Sequence, residues 1–79
     1  MKIMDRLDNY LYDREYKIII KENYLNVINY SEIVEFSTTR ISIKCKRNII
    51  TIDGLNLVIA KMIDNEILVT GNISNVSIN

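Results

Sequence analysis

Histidine, proline and tryptophan are missing from this 79-residue chain, and it holds only one cysteine and two glycines. Histidine is the usual general base near neutral pH, so its absence removes the Ser–His and Cys–His nucleophile pairs. A lone cysteine closes no internal disulfide, and without histidine beside it there is no familiar zinc ligand set. Gly54 and Gly71 lie too far apart to form a phosphate-binding loop. Ten basic and ten acidic side chains cancel, which removes the electrostatic attraction that dominates nonspecific binding to nucleic acid or anionic lipid. No apolar run approaches the roughly 20 residues that span a bilayer. Asp5 and Asp8 interrupt what would have to be the apolar core of a signal peptide. These absences predict a soluble, cytoplasmic, non-enzymatic protein with no catalytic residues, cofactor or metal.

What is there is patterned. Ile3, Met4, Leu7 and Leu11 recur at helical spacing with Asp5, Arg6 and Asp8 between them, which predicts a short N-terminal helix. Residues 1–13 are accordingly assigned to a helical or flexible segment and residues 14–79 to a single β domain, since the chain is too short for two cores. From Tyr16 onward the apolar residues alternate, and Ile and Val favour strands. The strands are expected at Tyr16–Lys21, Tyr24–Asn29, Ile33–Phe36 and Arg40–Lys46, followed by the stretches around Ile50, Leu57, Ile67 and Ile73. Turns fall at Glu22-Asn23, Ser37–Thr39, Arg47-Asn48 and Ile63–Asn65. Asn23 and Asn48 are placed there because asparagine tolerates positive φ.

The step from Ile50 and Ile52 to Leu55, Leu57 and Ile59 changes parity, so an extra residue must be absorbed, by a bulge or tight turn at Asp53-Gly54. Ile67, Val69 and Gly71 followed by Ile73 repeat the same strand, glycine, strand unit. The expected fold is all-β and mainly antiparallel: a β-meander of about seven or eight short bent strands, forming a small sandwich or rolled sheet. Gly54 and Gly71, with Asn23 and Asn48, are its structural turn or bulge residues. Ile18 and Ile20 oppose Ile19, Ile33 opposes Val34, and Ile67 and Val69 oppose Leu68. Strands apolar on both faces demand either a second layer or a partner.

Candidate chemistry reads as structure. Cys45 shares a strand face with Ile41 and Ile43 and is expected to be a small apolar core residue. Glu32 and Glu35, three apart in a strand, are expected on opposite faces as surface charges. Asp53, Asp64 and Glu66 sit near turns without the spacing of a calcium loop. The five tyrosines all fall within the first 30 residues, where Tyr10, Tyr12, Tyr16, Tyr24 and Tyr30 can line the rim of a core, form a protein interface or, against the neutral charge, stack nucleic-acid bases.

Three stretches in order carry a family likeness: Tyr16-Lys-Ile-Ile-Ile; Ile33-Val-Glu-Phe with Ile41-Ser-Ile; and Ile50-Thr-Ile-Asp-Gly-Leu-Asn-Leu with Ile67-Leu-Val-Thr-Gly-Asn-Ile. Together they resemble the YabP/YqfC family of sporulation proteins, and YqfC more closely. Where the family pattern has glycine in the first turn and before Ile49-Ile50, this chain has Asn23 and Asn48. The resemblance implies a protein of the mother cell of a sporulating bacterium, cytoplasmic or peripheral at a membrane. It implies no catalytic residues, and it implies a YqfD-like membrane protein as partner. The expected role is a structural or interaction module that binds itself or that partner through a β surface, as a homo-oligomer. The competing reading is a small Sm-like RNA-binding barrel, which the neutral charge disfavours.

Overall fold

The computed structural model describes residues 15–79. They form six strands: β1 (Lys17–Ile20), β2 (Tyr24–Ile28), β3 (Glu32–Phe36), β4 (Arg40–Cys45), β5 (Asn48–Ile63) and β6 (Glu66–Ile78). All neighbours pair antiparallel, in the order β1-β2-β6-β5-β4-β3. The fold is all-β, as the alternation predicts. There are fewer strands than the sequence suggests because Gly54 and Gly71 bend strands without ending them, leaving β5 at 16 residues and β6 at 13. The helix expected over residues 1–13, with Tyr10 and Tyr12, lies outside the described residues.

This sheet cannot be flat. β2 and β3 stand four places apart in the order, about 19 Å in a flat sheet, yet only Asn29, Tyr30 and Ser31 join them, a reach of about 14 Å at most from Ile28 to Glu32. The sheet therefore rolls over on itself. The connector is pinned to both sides of the roll: the Asn29 amide donates to the Asn65 carbonyl at 2.7 Å, and the Ser31 amide to the Lys44 carbonyl at 2.7 Å. Asn29 makes the corner with a φ of 63°.

Rolling divides the sheet into two halves that share the long strands. The first consists of β3, β4, the start of β5 and the end of β6; the second of β1, β2, the start of β6 and the end of β5. Each half contributes one inner face. Ile41 faces Ile52 and Ile43 faces Ile50 in the first half; Leu25 faces Val69 and Val27 faces Ile67 in the second. With Cys45 and Leu57 these side chains are fully buried in one cluster, against which Tyr16, Ile18, Tyr30, Ile33, Ile59, Ile73 and Val76 pack. Each large aliphatic side chain so buried is worth about 1.5–3 kcal/mol. This cluster is the main favourable term holding the roll closed.

The bend is built from three irregularities in the β5–β6 pair. Ser74 is extra on β6 opposite Asp53-Gly54, and its hydroxyl donates to the Asp53 carbonyl at 3.1 Å. Asn56-Leu57 then oppose the single residue Gly71, and Ala60 is extra further along. The parity change on β5 is thus absorbed at Asn56-Leu57, three residues later than the sequence suggests. The consequence is that Leu57 and Ile59 turn inward while Leu55 stays outside, 59% exposed. The backbone amides disturbed by the bend are recovered by the β3–β4 hairpin, where the Thr39 and Thr38 carbonyls accept from the amides of Gly54 and Leu57 at 3.1 and 2.8 Å.

Candidate interaction surface

The two outer faces differ in chemistry. Across the first half, partners in register run Glu35, Ser42, Thr51, Ser77 and, one row along, Arg40, Asp53, Asn75. The Ser42 hydroxyl, buried among its neighbours, lies 3.4 Å from Glu35 Oε1 and 3.5 Å from Thr51 Oγ1. Arg40 Nε donates to Asp53 Oδ1 at 2.7 Å. That hydrogen bond, with the Arg40 charge behind it, holds the Asp53 carboxyl below its ordinary range and raises Arg40 in turn. This face is a solvated polar surface.

The outer face of the second half mixes apolar and polar side chains. Its central row is Ile19, Asn26, Leu68, Lys61, flanked by Tyr24, Thr70, Val58 on one side and Lys17, Ile28, Glu66, Ile63 on the other. Val58 and Ile63 are about half exposed, at 51% and 53%. Asn26 Nδ2 donates to Glu66 Oε1 at 3.0 Å, while Asn26 Oδ1 is buried without a hydrogen-bond partner. The side chains that the sequence shows on both faces of β1 and β6 are those of this face, together with those of the core beneath it.

The sheet does not close, so β1 and β3 are its two edges. On β3 the register shifts between Ile33 and Glu35, leaving Val34 as an extra residue. Glu32 pairs with Lys44 and Glu35 with Ser42, both on the outer side of β4. The two carboxylates therefore share one face, contrary to the expectation from a regular strand, because the bulge cancels the odd spacing. They stand along an acidic edge with Val34 and Phe36 exposed beside them, at 54% and 58%. The opposite edge, β1, is flanked by Lys17 and Lys21.

The remaining candidates resolve into structure. Asn23 lies in the β1–β2 bend, closed by the Lys21 amide donating to the Tyr24 carbonyl at 2.8 Å. Asn48 is the first residue of β5, paired with Cys45. Neither has a positive φ; the left-handed positions are Asn29, Lys46, Asn56 and Asp64, with Gly71. Cys45 is fully buried and its thiol is pushed up by burial. Tyr16 and Tyr30 pack against the core, and Tyr24 belongs to the outer face of the second half. Asp64 and Glu66 bracket the β5–β6 turn. Among the described residues no group of three or more His, Cys, Asp or Glu side chains comes together to hold a metal, and no helix is long and apolar enough to cross a membrane.

A protein-family model for the YabP family matches residues 13–79. The chain belongs to the YabP family. The match starts just before β1 and takes in the whole rolled sheet, both glycines of the bend included. It does not separate the YqfC branch from the rest. Membership in the YabP family is consistent with a sporulation-related protein. No curated protein and no solved structure matches the chain.

The edges were invisible in the sequence because an edge is a property of strand order. The bulge at Val34 had one signal, two consecutive apolar residues followed by Glu35 and Phe36, which a regular strand accommodates poorly when one face is buried.

Proposed function

We propose that this YabP-family protein works without catalysis, as an interaction module in spore development, in the mother cell. Its β surface binds a second copy of itself or a membrane-tethered protein of the YqfD type. The observation that carries the reading is the pair of unlike open edges. β3 offers free backbone groups beside Glu32, Glu35 and exposed Phe36, while β1 offers them beside Lys17 and Lys21. An open edge recruits another strand through backbone hydrogen bonds, and side-chain charge chooses which strand is accepted. Two acidic β3 edges repel each other. An acidic β3 edge and a basic β1 edge attract, which favours head-to-tail association of copies or capture of a basic strand from a partner.

Light scattering on the purified protein tests this. Association is expected to weaken with added salt and to be lost in Phe36→Lys, which leaves the buried cluster intact. A strict monomer at high concentration, together with affinity capture from sporulating cells that yields RNA and no membrane protein, would replace the reading with the small RNA-binding barrel.

A further inference from the structure

Resting on the edge-mediated reading above, we propose that β3 of one copy pairs antiparallel with β1 of the next, in the register that sets Glu32 opposite Lys21 and Phe36 opposite Ile18. One apolar core then runs through the joint. Ile20 pairs with Leu25 and Phe36 with Ile41, and both of those partners are fully buried. Cross-strand partners project from the same side of a sheet, so Ile20 and Phe36 face the core side of the roll. Both are nevertheless more than half exposed, at 59% and 58%, because each stands on an edge strand with no neighbour on its other flank among the described residues. Beside them, Ile18 and Ile33 are only partly buried against the cluster. Each edge thus carries two inward apolar side chains that its own sheet covers incompletely.

The two edges fix how they can meet. The bulge at Val34 makes Glu32, Ile33, Glu35 and Phe36 successive positions of the ladder, carboxylates outward and apolar side chains inward. On β1, Lys17 and Ile19 point outward, Ile18 and Ile20 inward, and alternation turns Lys21 outward one step further on. Inward residues meet inward residues only in every second register. One such register uses every β3 position: Glu32 against Lys21, Ile33 against Ile20, Glu35 against Ile19 and Phe36 against Ile18. Glu35 then has Lys17 and Lys21 on its two diagonals, within reach of long side chains. A slip of two residues carries Phe36 past the start of β1, or Glu32 and Ile33 into the Glu22-Asn23 bend. Parallel pairing makes the weaker ladder, in a sheet that is otherwise antiparallel throughout. Because the joint unites unlike edges, copies add in one direction until a ring closes or an open chain grows.

The experiment uses the full chain at low salt, read by light scattering. Glu32→Lys with Glu35→Lys makes both edges basic, and Lys17→Glu with Lys21→Glu makes both acidic. Each double variant alone should associate about tenfold more weakly than the unsubstituted protein, or less. An equimolar mixture of the two should regain association, because each β3 then meets a β1 of opposite charge. The register is tested without charge reversal. Glu32→Cys mixed with Lys21→Cys under oxidised glutathione should give disulfide-linked copies, while Glu32→Cys with Lys17→Cys, about 14 Å out of register, should not. Cys45 is buried and stays out of the exchange. A mixture that stays monomeric while both double variants keep native amide spectra overturns the proposal, and so does preferential linkage to Lys17→Cys, which would mean parallel strands. If association is lost in Phe36→Lys but indifferent to the charge reversals, the edge-mediated reading stands and this joint falls. A strict monomer removes both.

Discussion

Gly71 on β6 lies against the backbone of Asn56 on β5 with no room for a side chain: a Cβ at position 71 would stand 2.6 Å from the Asn56 carbonyl oxygen. Its φ is +127°, a region that residues with a Cβ avoid. Asn56, opposite, is itself left-handed at 55°. The two residues together make the bend that lets one sheet supply both layers of the core. Gly71→Ala is expected to destabilise by about 3 kcal/mol, combining backbone strain of about 1–3 kcal/mol with displacement of the facing strand. In a domain of this size that is most of the total stability. Urea unfolding of the two proteins measures it, and a loss under about 1 kcal/mol would contradict the geometry.

Gly54 is constrained differently. Its φ is not in the left-handed region, but a Cβ there would collide with the Asn72 carbonyl. The sequence marks the residue through the parity change around it, and of the two glycines only Gly71 has a positive φ. Strand alternation exposed the all-β class, the buried positions Ile41, Ile43, Cys45, Ile50, Ile52, Ile67 and Val69, and the existence of a parity change. It could not say which of two neighbouring irregularities absorbs that change, because Leu55 and Leu57 are equally apolar. Nor does alternation reveal strand order. The unlike outer faces and the acidic and basic edges follow from β2 pairing with β6, a contact some 40 residues long-range with no local signature.

The β4–β5 hairpin turns on Lys46, whose φ is 56°. A lysine there carries a steric cost of about 1 kcal/mol or more that glycine escapes, offset in part by glycine's greater freedom when unfolded. Lys46→Gly is therefore expected to raise stability by about 0.5 kcal/mol, whereas Asn48→Gly, in the first position of a strand, should lower it by about as much. The opposite signs, read from urea midpoints, place the glycine-like position at Lys46.

Cys45 closes the inner row that runs through Ile41 and Ile43 and is fully buried. Burial disfavours the thiolate and keeps the group protonated and unreactive. A thiol reagent is expected to label the native protein slowly and the urea-unfolded protein at the rate of a free thiol. Cys45→Ser should cost about 1–3 kcal/mol, since a hydroxyl of similar size enters an apolar cluster without a partner. Cys45→Ala should be milder. Rapid native labelling at neutral pH would mean that the end of β4 opens far more readily than its packing indicates.

Arg40 and Asp53 bridge β4 and β5 on the polar outer face, directly opposite each other in register. The hydrogen bond from Arg40 keeps the Asp53 carboxyl below its ordinary range, so the folded protein binds that proton less tightly than the unfolded chain. By linkage the stabilisation is fully present above the unfolded carboxylate pKa of about 4 and is lost as pH falls through the lower folded value. The pair is exposed to solvent and screened, so its effect is small and salt-sensitive. Asp53→Asn is expected to be slightly less stable than the unsubstituted protein at pH 7, with the difference shrinking toward zero below about pH 3. Thermal unfolding at low and high salt across that range measures it. A difference that persists in acid would assign the role of Asp53 to its hydrogen-bonding shape and not to its charge.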